Sequence, residues 1–169
     1  MARAYAPLAA TAALVCCAAA VSVAHVARAD ERSIIKIPGD HPSYIFEAEP
    51  HIALGYTGPY DDAFFVAGFR GAVNIANGFI PSINNSVAIG FGIDVATDGT
   101  LFIPVVLQWN FWLSNHWSVF GEPGFAITTG RQNVYPAFFA GGRFHFTDRI
   151  ALTLRVGYPE ITVGCSFLL

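Results

Sequence analysis

The protein has 169 residues, of which 54% are apolar and only 12% are charged, and its formal net charge is −3. This balance excludes a broad basic surface and with it nucleic acid as a partner. The charged share is about half of that in ordinary soluble domains, so we expect a protein that contacts lipid.

Residues 1–29 have the layout of a secretory signal peptide. The stretch from Pro7 to Val26 carries no charged residue, and Ala27-Arg28-Ala29 places small residues at the two positions that a signal peptidase reads. We therefore expect cleavage after residue 29. The alternative is an uncleaved anchor, since the run is nearly long enough to span a bilayer. A lipoprotein site at Cys16 or Cys17 is disfavoured by the bulky residues that precede each cysteine.

Residues 30–43 are polar, contain Pro38 and Pro42, and are predicted to form a periplasmic N-terminal leader. After the signal peptide the chain keeps only Cys165, so it cannot form an internal disulfide. No later charge-free apolar run approaches the ~18 residues that a membrane helix needs. The other structure able to satisfy its backbone in lipid is a closed barrel of strands.

From residue 44 onward, short turn signals separate apolar-rich segments of a length that suits tilted membrane strands. The turns contain the Gly, Asn, Asp and Pro residues that hairpins require, as in Asn77-Gly78 and Asp98-Gly99. The eight predicted strands are residues 44–56, 64–76, 86–96, 101–113, 117–128, 135–146, 150–157 and 161–169.

Within these segments apolar and polar residues alternate, as they do in a strand with two different environments. Every charge that we assign to a strand falls on the face that otherwise carries small or polar residues. The remaining charges, Glu160 among them, are assigned to the leader or the turns. A soluble lipocalin-like barrel would also alternate, but its polar face must coat a wet exterior. In this chain the polar face carries too few charged residues to coat an exterior in contact with water.

The predicted fold is therefore all-β, an eight-stranded antiparallel up-and-down transmembrane β-barrel with a polar, side-chain-filled interior, spanning residues 44–169. An even strand number brings both ends to one side, taken as periplasmic. Aromatic residues are then expected near the two rims, as in the interfacial girdles of such barrels. They are Phe111, Trp117 and Phe146 at the inner rim and Tyr56, Phe65 and Tyr158 at the outer rim.

With its eight amphipathic strands and its last strand Ile161-Thr162-Val163-Gly164-Cys165-Ser166-Phe167-Leu168-Leu169, the chain resembles the small outer-membrane β-barrel proteins, such as the OmpA transmembrane domain and the OmpX-like group. The resemblance covers about residues 44–169 and rests on the pattern of amphipathic strands, not on a signature motif. It implies a Gram-negative cell outer membrane, outer-membrane lipid as surroundings, and barrel-assembly and periplasmic chaperone machinery as partners. Family members usually end on an aromatic residue, whereas this chain ends in Leu169 with Phe167 two positions earlier.

The predicted interior carries a cluster of charges that we interpret as a salt-bridge network filling the lumen, because buried charges must be paired. Extrapolating the hairpins, we expect His51 to lie opposite Arg70, and Glu122 to lie near Arg143. The alternative is a path for protons or ions. The predicted interior charge network comprises Glu47, Glu49, His51, Arg70, Asp94, Glu122, Arg143, His145 and Arg155.

These features favour a monomer with a structural or membrane-integrity role, without catalytic activity, cofactor or metal. A narrow ion or small-solute pore is one alternative. A lipid-modifying outer-membrane enzyme that uses His51, Glu49 or His116 is another, although no nucleophile motif accompanies them. Metal binding by His51 and His145 with Glu49 is disfavoured, because the two histidines lie on distant strands.

Overall fold

The computed structural model describes residues 32–55, 64–129 and 134–169. The predicted signal peptide, Tyr56, the turn at 57–63 and most of the turn at 129–134 lie outside the described residues. Among the residues described, no helix has both the length and the apolar character needed to cross a membrane.

Eight strands form one closed barrel in which each strand pairs antiparallel with its neighbours in the sequence and β1 pairs with β8. This confirms the predicted fold class. The strands are β1 (Phe46–Gly55), β2 (Phe64–Asn77), β3 (Asn85–Ala96), β4 (Leu101–Trp112), β5 (Trp117–Thr128), β6 (Val134–Thr147), β7 (Ile150–Tyr158) and β8 (Glu160–Leu168).

The two faces of the barrel differ as the alternation predicts. Large apolar side chains such as Ile93, Leu107 and Leu154 point outward and are 44–50% exposed. The charged side chains of the strands point inward and are buried, together with most of the polar ones. Four large aromatic residues lie inside as well, on the parity of the polar residues: Phe102, Trp112, Phe120 and Phe139.

Aromatic side chains on the outside gather towards both ends of the barrel. At the end that holds the termini, Trp109 lies between Phe79 and Phe111, with ring centroids 5.6 and 5.4 Å apart. At the opposite end Phe138 stacks on Tyr158 at 5.8 Å. This is the distribution expected of interfacial girdles.

Prolines coincide with interruptions of three strand ladders. The β1–β8 pairing skips Glu49 and Pro50, the β3–β4 pairing skips Pro104, and the β4–β5 pairing skips Pro123. Proline has no N–H to donate to a ladder. The barrel therefore closes with local gaps in its backbone hydrogen bonding.

One predicted turn residue proves to be part of a strand. Glu160 was assigned to a turn with Tyr158 and Pro159, but only Pro159 separates β7 from β8, and Glu160 begins β8 with its side chain fully buried. The Tyr158–Pro159 peptide bond is cis. Because the connection is so short, the inward-facing parity of β8 begins one residue after the proline.

The segment predicted as a leader is packed across the end of the barrel that holds the termini. Backbone amides of Ile34 and Asn84 donate to Leu113 and Ile35 at 2.9 and 2.7 Å. The side-chain amide of Asn84 also bonds the leader, donating to Asp40 at 2.9 Å and accepting from Gly39 at 3.2 Å. The leader is thereby fixed to the β2–β3 turn and to the end of β4.

Apolar packing completes this closure. Ile34 of the leader and Tyr44, which precedes β1, form a buried cluster with Trp112 and Leu168. The ring of His41 stacks on Trp112 with centroids 5.0 Å apart and nearly parallel planes. Trp112 thus presents one face to the leader while its other neighbours lie in the lumen.

We predict that Trp112→Ala loosens the leader and destabilises the barrel by about 3–5 kcal/mol, because it removes a fully buried aromatic side chain. Trypsin cleavage at Lys36, monitored by mass spectrometry on the folded protein in micelles, should accelerate. Trp109→Ala is the matched control, since Trp109 lies three residues earlier on the outer face. Equal cleavage rates in the two variants would show that Trp112 does not anchor the leader.

Candidate functional site: the charged lumen

The nine residues predicted to form an interior network all lie in the lumen, and each is at most 6% exposed. Glu160 joins them as a tenth charged or titratable residue. Nine of the ten form three layers between the closed end and the opposite end of the barrel, and His145 lies apart from them at the closed end. Each layer is organised by one arginine.

The layer nearest the closed end is built on Arg143. Its Nη2 contacts both carboxylate oxygens of Glu47 at 2.7 and 2.9 Å, and its Nη1 donates to Oδ1 of Asn110 at 2.7 Å. Gln108 donates to Glu47 at 3.0 Å and to Asn110 at 3.1 Å. The ion pair is therefore flanked by the side-chain amides of Gln108 and Asn110, while Nε of Arg143 has no hydrogen-bond partner among the described residues.

The middle layer is built on Arg155, which binds two carboxylates at once. Its Nη1 and Nη2 contact Glu49 at 2.7 and 3.1 Å, while its Nε and Nη2 contact Glu122 at 2.8 and 3.2 Å. Ser166 donates to Glu49 at 3.0 Å, and Thr162 accepts from Arg155 at 3.1 Å. The bidentate geometry uses the planar fork of the guanidinium.

The outer layer is built on Arg70. Its Nη2 lies 3.2 Å from Oδ2 of Asp94 and 3.0 Å from Oε1 of Glu160, and its Nη1 lies 3.8 Å from Glu122. His51 completes the layer, with its Nε2 2.8 Å from Oδ1 of Asp94. The outer layer thus holds two carboxylates beside one guanidinium and one imidazole.

Aromatic rings separate the arginines from one another. The ring of Phe120 lies 4.2 Å from the guanidinium carbon of Arg143 and 5.1 Å from that of Arg155. Phe139 lies 4.9 Å from that of Arg70. Such cation–π contacts stabilise a desolvated cation by about 0.5–2 kcal/mol.

The closed end contains the other histidine. Nε2 of His145 lies 2.9 Å from Oγ of Ser118, and the imidazole ring lies 5.0 Å from Trp112. Nearby, burial raises the pKa of Tyr44 to about 12, with a smaller contribution from the charge of Glu47, so this phenol is neutral under ordinary conditions.

The lumen has little free space. A cavity lined by Glu47, Glu49, Arg70, Glu122 and Arg155 offers roughly 10 Å³ to the centre of a water molecule, about enough for one water. At the end opposite the leader, Phe102 and Phe139 form a buried apolar cluster with two alanines. Among the described residues, the charged layers therefore lie between this cluster and the leader.

The predicted strand registers are wrong in two places. Arg70 lies opposite Glu49, not His51, which faces Gly68. Arg143 lies opposite Ser118, and Glu122 lies opposite Phe139. A register shift of an even number of residues preserves which side chains point inward, so the alternation alone cannot detect it.

The residues named for the alternative enzyme and metal sites do not come together in one place. His51 contacts Asp94 in the outer layer, whereas His145 contacts Ser118 at the closed end, so they do not share a site. His116 lies in the β4–β5 turn and stacks on Phe144 at 6.1 Å. Nδ1 of His145 has no hydrogen-bond partner among the described residues, so the Ser118–His145 pair lacks an orienting acid.

Sequence reasoning missed Glu160 and the four lumen aromatics. The alternation could have located these aromatic residues. Phe102 and Trp112 lie on the same face of β4 as Gln108, and Phe120 lies on the same face of β5 as Glu122. Glu160 had no such signal, since its assignment depended on whether Pro159 alone could form the turn.

No protein-family model and no curated protein matches the sequence. The fold does match solved structures. A chain from a study titled "De novo design of transmembrane beta-barrels" is 13% identical, with a TM-score of 0.57 over 79% of this chain and 100% of that one. The Yersinia pestis outer membrane protein Ail, in a phospholipid bilayer nanodisc, is 12% identical, with a TM-score of 0.51 over 75% and 100%. At these identities the likeness establishes the fold.

We predict that Arg143→Met destabilises the barrel by about 3–5 kcal/mol, because it leaves Glu47 buried without a countercharge. The double variant Arg143→Met/Glu47→Gln should cost much less than the sum of the single changes. Urea unfolding in micelles provides the free energies.

The control is the pair Arg143→Met/Glu122→Gln, whose effects should be nearly additive because Glu122 contacts Arg155 and Arg70 instead. Strong coupling of Arg143 to Glu122 and none to Glu47 would contradict the observed layers.

Proposed function

We propose that this protein is a small outer-membrane β-barrel with a structural or membrane-integrity role, and that it neither conducts solutes nor catalyses a reaction. The observation that carries the proposal is the lumen, whose three arginine-centred layers fill the interior. Because paired charges occupy the interior, the surface that is available for a function is the outside of the barrel, which contacts lipid.

Placement in the outer membrane is supported by two independent features. The barrel exterior is apolar across all eight strands, as lipid contact requires. The fold is that of designed transmembrane barrels and of the outer membrane protein Ail. The predicted signal peptide and the resemblance to the OmpA transmembrane domain and the OmpX-like group agree with export. We propose that the barrel is a monomer, inserted by the barrel-assembly machinery with periplasmic chaperones.

A pore is disfavoured by the way the lumen is closed. An ion crossing the barrel would have to displace side chains that are bound at 2.7–3.2 Å to Arg143 and Arg155. It would then meet the stacked rings of Trp112 and His41 at the leader. Each of these steps separates buried opposite charges or buried aromatic surfaces.

An enzyme is disfavoured because Ser118 and His145, a serine and a histidine in contact, lie where a substrate cannot reach them. Ser118 and His145 are almost completely buried, and His145 touches Trp112 rather than a carboxylate. Lipid chemistry would require a nucleophile and a base at the surface of the barrel, near a membrane rim.

We predict that the purified protein produces no conductance steps in planar bilayers. If the barrel were a pore, Glu122→Gln should change the size or the ion selectivity of its steps, because Glu122 lies in the middle layer. Reproducible steps that change in this variant would overturn the proposed function in favour of a pore.

We also predict that the folded protein fractionates with the outer membrane and changes its gel mobility when boiled in detergent. Leu154→Arg should destabilise membrane insertion by about 2–4 kcal/mol, because it places a charge on the lipid face in the middle of β7. Phe79→Arg is the control, since Phe79 lies at the rim, where the cost falls to about 0–1 kcal/mol. Recovery of the wild type from the soluble periplasmic fraction would refute the placement.

A further inference from the structure

We propose that the outer layer of the lumen is a binding site for one divalent transition metal ion, held by His51, Asp94 and Glu160. Nε2 of His51 and one carboxylate oxygen from each acid lie within 4.8 Å of one another, and all three residues are buried. One imidazole and two carboxylates are a ligand set that suits Zn²⁺ and its neighbours.

The hydrogen bonding of His51 prepares its Nε2 for a metal. Nδ1 lies 3.4 Å from the backbone carbonyl oxygen of Glu49, which favours the tautomer with the proton on Nδ1. Such a carbonyl contact behind the ring is the usual support of a metal-binding histidine. Nε2, the other ring nitrogen, is turned toward the two acids.

The atoms that face each other lack hydrogen bonds. Nε2 of His51 and Oδ1 of Asp94 are both completely buried, and neither makes a hydrogen bond of acceptable geometry among the described residues, although they are 2.8 Å apart. A cation placed between these two buried atoms would satisfy both of them. Metal–ligand distances of about 2.0–2.2 Å require only small side-chain rotations to insert one.

The charge balance of the lumen also favours a cation in the outer layer. Among the described residues the interior holds five carboxylates and only three guanidinium groups. Arg143 neutralises Glu47, so the excess of two negative charges lies in the middle and outer layers. A divalent cation would cancel this formal excess.

Arg70 is compatible with a metal at this position. It binds Oδ2 of Asp94 and Oε1 of Glu160, and Oδ1 of Asp94 is directed away from it, toward His51. An arginine that bonds the second oxygen of a ligating carboxylate, as Arg70 does at Oδ2 of Asp94, orients it in the way other second partners of metal ligands do. Gly68 also fits this arrangement, because a Cβ there would collide with Oδ1 of Asp94.

The three ligands come from β1, β3 and β8, and β1 and β8 form the seam that closes the barrel. The site is therefore complete only after closure. A metal bound there ties the first strand to the last one, beside the point where the β1–β8 ladder is interrupted at Pro50. We infer that the ion stabilises the closed seam.

The test uses the full chain without a histidine tag, refolded into detergent micelles with equimolar Zn²⁺ and then desalted in the presence of EDTA. Elemental analysis of the folded fraction should find about one zinc ion per chain. His51→Ala and Asp94→Asn should lower the retained zinc about tenfold or more. With Co²⁺ in place of Zn²⁺, the wild type should show visible d–d absorption that both variants lose.

His145→Ala is the matched control, because it removes the other buried lumen imidazole and should retain the metal. Gel mobility with and without boiling identifies the folded fraction of each variant. If His51→Ala or Asp94→Asn does not fold, the zinc content of the wild type decides. A wild type that retains no zinc, or a folded His51→Ala that retains as much as the wild type, would overturn the proposal without affecting the proposed structural role.

Discussion

A charge enclosed in a narrow barrel has to find its countercharge inside the same barrel, and this requirement organises the lumen. Arg143 pairs with one carboxylate, Arg155 with two, and Arg70 with two more at hydrogen-bonding distance. Removing one member of such a pair leaves the other buried and unpaired, which costs several kcal/mol. The layers therefore connect strands that do not pair with each other, such as β1 and β6, through side-chain contacts across the lumen.

The closed end depends on a different interaction. Trp112 is buried between the ring of His41, in the leader that covers this end, and the ring of His145 in the lumen. The leader reaches this position because Asn84 binds it through both its backbone and its side chain. Charge pairing fills the middle of the lumen, and aromatic stacking seals the end at which the chain termini meet.

The structural neighbours share the barrel and almost none of the sequence. Identities of 12–13% show that very different sequences adopt this fold. They transfer no residue of the lumen from one protein to another. The arginine-centred layers and the proposed metal site must therefore be understood from this chain alone, from the number of carboxylates it encloses and the number of arginines that face them.

The sequence by itself determined which side chains point inward, because successive residues of a strand face opposite sides whatever the register. Arg70, Asp94 and Arg155 could thus be placed in the lumen before any coordinates. Their partners could not, since a shift by an even number of residues leaves both faces unchanged while it moves each charge past a different neighbour. Only the tertiary structure decided that Arg143 meets Glu47 across the barrel. It also brought Glu160 into the lumen, because the length of the β7–β8 connection depends on how the two strands pair.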